Sequence, residues 1–208
     1  MTRLLLATGN QAKLQELKSL LNSLPYELAT PSEVGIGIKV DESGNSLEEN
    51  ARLKATIFAS HSQLLTLADD SGLEVDALGG QPGVLSARYA GKNASDSERV
   101  DYLLARLKDV PWERRRAHFK CVIAIATPEG HVELSPGACR GIITLKPRGE
   151  HGFGYDPVFY LPRLGKTIAE LSLEAKNRVS HRGKATRKAY RVLERLKAWK
   201  MFDDFGLV

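Results

Sequence analysis

The sequence predicts an α/β fold around a mixed β-sheet, and three observations predict it. Apolar residues recur at helical spacing in several separate segments. Short strand-like apolar runs lie between those segments. One region, residues 117–145, reads as consecutive strands joined by tight turns, which adds an antiparallel meander to an otherwise helix-and-strand alternation.

The elements follow in order. "LLLA" at residues 4–7 is an apolar run broken by Thr8-Gly9-Asn10. From Leu14 the apolar residues fall at 14, 17, 20 or 21, and 24, the i, i+3, i+4 pattern of an amphipathic helix, which Pro25 closes. Ser46-Leu-Glu-Glu49 is a capping box, with Leu47, Ala51, Ala55 and Phe58 on one helical face behind it. "LLTLA" at residues 64–68 predicts a buried strand that ends in an Asp69-Asp70-Ser71-Gly72 turn, and "LGGQPG" at 78–83 predicts another turn. Ser95 to Glu98 is a second capping box, opening a helix that turns Val100, Leu103, Leu104 and Leu107 inward and stops near Pro111. The meander then reads as strand, Pro-Glu-Gly turn, strand, a second turn and a third strand.

"HGFGYDPVFYLP" is glycine-rich and aromatic. A Thr167 to Glu170 capping box predicts a short helix running to about Arg178. Ser180 caps the last helix, whose apolar residues Ala185, Ala189, Val192, Leu196 and Trp199 repeat at helical spacing. There is no internal repeat, so the 208 residues form one domain.

Composition narrows the function classes. With 42% hydrophobic and 26% charged residues the chain is an ordinary globular sequence. No apolar run approaches the roughly 18 residues of a membrane span, and "LLLA" is too brief for a signal-peptide core, so a cytoplasmic location is expected. Cys121 and Cys139 lie outside any metal-ligand spacing and read as apolar fillers of strands. The net charge of +5 is concentrated near the end, where ten Lys or Arg and one acid, Glu194, lie between Lys176 and Lys200. That excess suits an anionic ligand, a nucleic acid or a solvated helix face.

Four sites carry candidate chemistry. Backbone N–H groups at the start of the first helix lack intrahelical partners, so the Thr8-Gly9-Asn10 turn with Lys13 one turn on is a candidate phosphate cradle; Asn10 is equally a good N-cap. Asp41-Glu42 and Asp69-Asp70 are acidic pairs at the ends of predicted elements, suited to hydrated Mg²⁺ with substrate phosphates completing its shell, or to local turn hydrogen bonds. Phe153, Gly154, Tyr155 and Asp156 offer an aromatic face for a base and a carboxylate for its edge, or simply an aromatic hairpin end. Lys176, His181 and Arg182 gather donors at a helix junction.

Together, "ATGNQAKLQEL", "ADDSGLEVDALGGQPGVLSARYAG", "GFGYDPVF" and "SHRGKA", in this order from residue 7 to residue 185, resemble the inosine/xanthosine triphosphate pyrophosphatase family. The resemblance implies an elongated mixed sheet with flanking helices, two lobes around a nucleotide-binding cleft, and a homodimer. It implies Mg²⁺-dependent hydrolysis of non-standard purine nucleoside triphosphates (ITP, dITP, XTP) to the monophosphate and pyrophosphate, with no stable nucleic-acid or membrane partner. By the same resemblance Thr8, Gly9, Asn10 and Lys13 bind the triphosphate, and Asp70 is general base and metal ligand. Ser71, Phe153, Gly154, Tyr155, Asp156, Lys176, His181 and Arg182 contact the nucleotide. The second metal carboxylate, counted back from Glu49-Asn50-Ala51, falls on Asp41, where the family usually has glutamate; Glu42 is the neighbouring alternative. Two other readings remain: a related septum-formation-inhibitor type acting on pyrimidine or modified nucleotides, and a basic nucleic-acid-binding protein.

Overall fold

The computed structural model describes residues 2–204, with side chains described through residue 196. Eight strands form one mixed sheet in the order β2-β1-β3-β5-β6-β7-β8, with β4 beside β3. β1 (Arg3–Leu6) runs parallel to β2 (Glu27–Ala29) and to β3 (Leu65–Val75). All other pairings are antiparallel: β4 (Pro82–Gly83), β5 (Arg116–Ala126), β6 (Val132–Ile143), β7 (Phe159–Leu161) and β8 (Lys166–Thr167).

Strand alternation divides the core between the two faces. Leu4, Leu6, Leu65, Leu67, Cys121, Ile123 and Ile125 meet α1 (Gln11–Leu21) and α5 (His181–Asp204). Leu5, Ala7, Ala68, Val122, Ala124 and Ala126 meet α2 (Leu47–Ser62). Further along β3, β5 and β6, Leu73, Val75, Phe119, Cys139 and Ile143 pack with Val100, Leu103 and Leu107 of α3 (Asp96–Arg106). Each fully buried leucine of this set contributes about 1.5–3 kcal/mol.

The structure differs from the sequence expectations at four places. Asp69-Asp70-Ser71-Gly72 is no turn: β3 continues through it, paired residue by residue with β5 from Thr66 to Val75. The second turn expected in the meander is absent, and β6 passes straight through Ser135-Pro136-Gly137. Proline is tolerated there because β7 joins β6 only at Ile142 and Ile143, leaving an edge. Gly137 is required there because a Cβ would lie 2.3 Å from the His181 carbonyl oxygen, so α5 lies directly on the strand backbone.

At α2 the Ser46 hydroxyl accepts from the Glu49 N–H as a cap should, but the Glu49 carboxylate accepts from Asn45 rather than from Ser46. After Thr167 only a 3-10 turn forms, and the helix restarts as α4 (Leu173–Val179) under a new cap, Ser172. Ser95 and Glu98 form the full reciprocal box of α3, and Ser180 accepts from the Gly183 N–H at the start of α5. Trp199, expected on the apolar stripe of α5, lies outside the described side chains.

β3 meets β1 only at Leu65 to Leu67 and β4 only at Leu73 and Glu74. Residues 68–72 therefore have a strand on one side and none on the other. That gap, off the carboxyl ends of β1 and the parallel part of β3, is where an α/β sheet leaves room for a ligand.

Candidate active site

A cavity of about 460 Å³ opens at this gap. Its floor is Asp70, Ser71 and Gly72 of β3; its walls are the start of α1, the Phe153–Asp156 loop and the α4–α5 junction.

At the first wall, Asn10 is the N-cap: its side-chain oxygen accepts from the Lys13 N–H at 3.0 Å, and Thr8 Oγ1 accepts from the Asn10 N–H at 3.2 Å. The cap engages the Lys13 N–H and leaves those of Gln11 and Ala12, which belong to the helix's first turn, and both residues line the cavity. Thr8 and Gly9 line a neighbouring cavity instead, with Gln11 shared between the two.

Adjacent strand residues point to opposite faces, and this separates the two aspartates. Asp69 is wholly buried and holds Lys13 Nζ at 3.1 Å and Arg182 Nη2 at 3.2 Å. Burial pushes its carboxyl up, but Lys13 and Arg182 outweigh that and hold it well below the usual carboxylate range. Asp70 faces α2, where its Oδ2 accepts from Asn50 Nδ2 at 3.1 Å, and its Oδ1 accepts from the Ser71 N–H at 2.9 Å. Burial, and then Glu42 nearby, push Asp70 above the usual carboxylate range against the pull of Lys13 and Lys54.

The expected cations are present but already paired. Lys176 Nζ binds Asp156 and, at 2.6 Å, Glu16. Arg182 donates to Glu16 from Nη1 at 2.5 Å, to Asp69 from Nε and Nη2, and to Ser71 Oγ from Nη2 at 3.1 Å. Of three ammonium and five guanidinium N–H donors, these contacts leave one on each side chain for a ligand. Glu16, on α1 and nearly fully buried, joins the two cations; as the third residue after Lys13 it sits one turn further along α1.

In the aromatic loop, Asp156 Oδ2 accepts from the Phe153 N–H at 2.9 Å, which closes the loop on itself. The Phe153 ring lies 4.6 Å from Lys176 Nζ and 5.5 Å from the Arg182 guanidinium. Tyr155 is buried and its hydroxyl donates to the Ser86 carbonyl at 3.0 Å, so its side chain anchors the loop. His181 stacks on Phe119 at 4.5 Å, and its Nδ1 is buried with no hydrogen-bond partner. Burial, with Arg182 and Lys176 beside it, holds this imidazole well below its usual pKa, hence neutral.

Asp41 is exposed and does not line the cavity, whereas the neighbouring alternative, Glu42, does. From Ile38 to Gly44 burial alternates, the even-numbered positions being the half-buried ones, and the Ser43 N–H donates to the Asp41 carbonyl at 3.0 Å, closing a tight turn at Glu42. Several residues were not singled out from the sequence. Lys54 on α2 pairs with Glu42, and Asn50 bonds Asp70. On α3, Asp96 accepts from the Gly154 N–H at 2.6 Å, and Arg99 pairs with Asp96. No local signal marks these residues beyond the helical spacing of Asn50 and Lys54, four apart and so on one face.

A model of the Ham1 family matches residues 4–192. The chain belongs to the Ham1 family. A dITP/XTP pyrophosphatase from Desulforamulus reducens is 48% identical over 93% of this Ham1 chain and 96% of its own length. One from Geobacter sulfurreducens is 50% identical over 89% and 93%. Among solved structures, a HAM1 protein from Coxiella burnetii superposes with a TM-score of 0.86 at 41% identity, covering 94% of this chain and all of that one. The open mixed sheet flanked by helices is the fold of those Ham1 proteins.

The basic end of this Ham1 chain is largely engaged within the fold. Arg187 donates to the Asn177 and Arg178 carbonyls at the end of α4, Lys184 and Lys188 donate to the Ala138 and Pro136 carbonyls on the β6 edge, and Arg195 pairs with Glu133. The Lys184 and Lys188 contacts cover carbonyls on the open edge of β6. Among the described residues, no helix is long and apolar enough to cross a membrane.

Proposed function

We propose that this chain hydrolyses non-standard purine nucleoside triphosphates (ITP, dITP and XTP) to the nucleoside monophosphate and pyrophosphate, with Asp70 as general base. It is a nucleoside triphosphate pyrophosphatase, and the loss of non-standard bases from the precursor pool is the consequence of that activity. One observation carries the assignment of the site. A carboxylate raised by burial, Asp70, lies in the same cavity as the unpartnered first-turn amides of α1 and Lys13.

The donor set fits Mg²⁺. Asp70 and Glu42 supply hard oxygen ligands, and each Asp70 oxygen makes one hydrogen bond, leaving a lone pair for a ligand. Among the described residues no cluster of three or more His, Cys, Asp or Glu forms a cage, which suits an ion that keeps several waters and takes substrate phosphates as ligands. When bound, the ion neutralises phosphate charge and acidifies its water.

The chain's own residues do the rest. Asp70 takes the proton of a water aimed at the α-phosphorus. Lys13 and the α1 amides stabilise negative charge on the departing pyrophosphate. Asp69 keeps Lys13 and Arg182 charged and in place before substrate arrives.

Base choice follows from donors. The remaining N–H of Lys176 or Arg182 suits the 6-oxo acceptor of hypoxanthine or xanthine and opposes the amino group of adenine. Phe153 supplies the stacking face. Of the expected contacts, Tyr155 acts through the loop, and Thr8 and Gly9 act through the shape of the turn.

The continuity of β3, β5 and β6 through the separate core clusters supports a single catalytic domain of two lobes over residues 1–208. The homodimer rests on the family resemblance, and light scattering tests it; the cytoplasmic location rests on the sequence reading. Pyrophosphate release with Mg²⁺ from inosine, xanthosine, adenosine and thymidine triphosphates tests the activity. Preference for thymidine or adenosine triphosphate over the two 6-oxopurines would overturn it.

A further inference from the structure

Asn50 is almost completely buried on the inner face of α2, and its side-chain amide makes two hydrogen bonds to two different segments. Its Oδ1 accepts from the Gly44 N–H at 2.8 Å, and its Nδ2 donates to Asp70 Oδ2 at 3.1 Å. The chemistry of the partners fixes the amide's orientation: a backbone N–H can only donate, and an ionised carboxylate can only accept. A side chain with both an acceptor and a donor, at this length, is therefore required. Aspartate lacks the donor, alanine lacks both, and glutamine adds a methylene in a site with no room for it.

The segment held by Gly44 is the stretch that carries Glu42 across the cavity from Asp70. Its approach is close: a Cβ on residue 44 would lie 2.7 Å from Asn50 Oδ1. Among the described residues its other hydrogen bonds and ion pairs are Lys54 on the Glu42 side chain, Arg88 on the Glu42 carbonyl at 3.3 Å, the Ser43 N–H on the Asp41 carbonyl at 3.0 Å, and the Asn45 N–H on Glu49, while Val40 packs on the core. Asp70 in turn has its Oδ1 engaged by its own neighbour, Ser71, so among the described residues the bond from Asn50 is the tertiary hydrogen bond that sets the rotation of this carboxylate.

We propose that Asn50 is a positioning residue of the reaction, tying the Glu42-bearing strand of chain to Asp70 so that the two carboxylates act as one preorganised site. The inference rests on the reading of Glu42 and Asp70 as the oxygen donors of that site. Asn50 is not among the residues that line the cavity, and it reaches the site through Asp70. Its loss leaves the Gly44 N–H and Asp70 Oδ2 unpartnered and frees both carboxylates to move apart.

The test compares Asn50→Ala, Asn50→Asp and Glu42→Gln with the wild type. Four readouts apply: melting temperature, hydrogen exchange of the residue 41–45 amides, Mn²⁺ binding without nucleotide by electron paramagnetic resonance, and steady-state pyrophosphate release from inosine triphosphate. For Asn50→Ala the Gly44 amide exchanges at least about tenfold faster, while Mn²⁺ affinity and kcat each fall about 10–100-fold. KM changes by less than about threefold, since the triphosphate and base contacts are untouched. Asn50→Asp, nearly isosteric, keeps the Gly44 bond and its slow exchange yet loses Mn²⁺ affinity in its two-carboxylate form or kcat, because the donor to Asp70 is gone. Wild-type kcat and Mn²⁺ affinity in both Asn50 variants would overturn the proposal. Wild-type Mn²⁺ affinity and turnover in Glu42→Gln would instead overturn the reading of the site on which it rests, whatever the Asn50 variants do.

Discussion

Asp69→Asn removes one charge from the most buried part of the site and leaves two cations without it. Asp69 is fully inaccessible, Lys13 has no other carboxylate partner among the described ion pairs, and Arg182 keeps only Glu16. Breaking a buried pair by removing one partner costs about 3–5 kcal/mol, because the surviving charge stays desolvated. In a chain of this size each kcal/mol moves the melting temperature by about 2–4 °C, so the variant melts about 6–20 °C below the wild type. The sign with pH follows from the direction of the shift. The folded-state pKa of Asp69 lies well below its ordinary value, so its contribution is fully present above about pH 4 and is lost as pH falls further. Calorimetric or dichroism melts between pH 3 and pH 8 check this: the gap between the two proteins is constant above pH 5 and narrows below pH 4. A gap under about 2 °C at pH 7, or one that widens in acid, would refute the argument that Asp69 is an ionised anchor for Lys13 and Arg182.

Other expectations follow from the same geometry. Lys13→Ala removes a charge-assisted contact worth about 1.5–3 kcal/mol, so KM for inosine triphosphate rises at least about tenfold with the fold intact by circular dichroism. Gly137→Ala drives a methyl into the His181 carbonyl region and separates α5 from β6, lowering the melting temperature by about 2–12 °C; an unchanged melt contradicts the close packing. In metal-free protein the Asp70 carboxyl titrates above the ordinary value near 3.9 in carbon-detected magnetic resonance, and Glu42→Gln moves that midpoint down by removing a neighbouring negative charge. Chelation abolishes pyrophosphate release but leaves the melting temperature within a few degrees, since apolar side chains build the three core clusters.

What the sequence made legible was what local chemistry determines. The caps of α1, α2, α3 and α5 are short-range contacts between residues three apart, and all stand where the residue types place them. The continuation of β3 through Asp69-Asp70-Ser71-Gly72 was hidden, because turn-forming residues are overridden by a ten-residue ladder with β5 that no local pattern announces. That error mattered: only as strand residues do Asp69 and Asp70 face opposite ways, one toward Lys13 and Arg182, the other toward Asn50. The choice between Asp41 and Glu42 depended on the phase of an irregular stretch, which residue counting alone did not give. Glu16, Asn50, Lys54 and Asp96 act through partners 6 to 166 positions away, so their roles appear only once the chain is folded.

The most direct test of the account is pyrophosphate release from inosine triphosphate by Asp70→Asn, measured with saturating Mg²⁺ and nucleotide. Asparagine keeps the size of the side chain and removes the base, so kcat falls by about 10²–10⁴ while the protein stays folded and still binds nucleotide. A kcat near that of the wild type would contradict the assignment of Asp70 and the mechanism built on it.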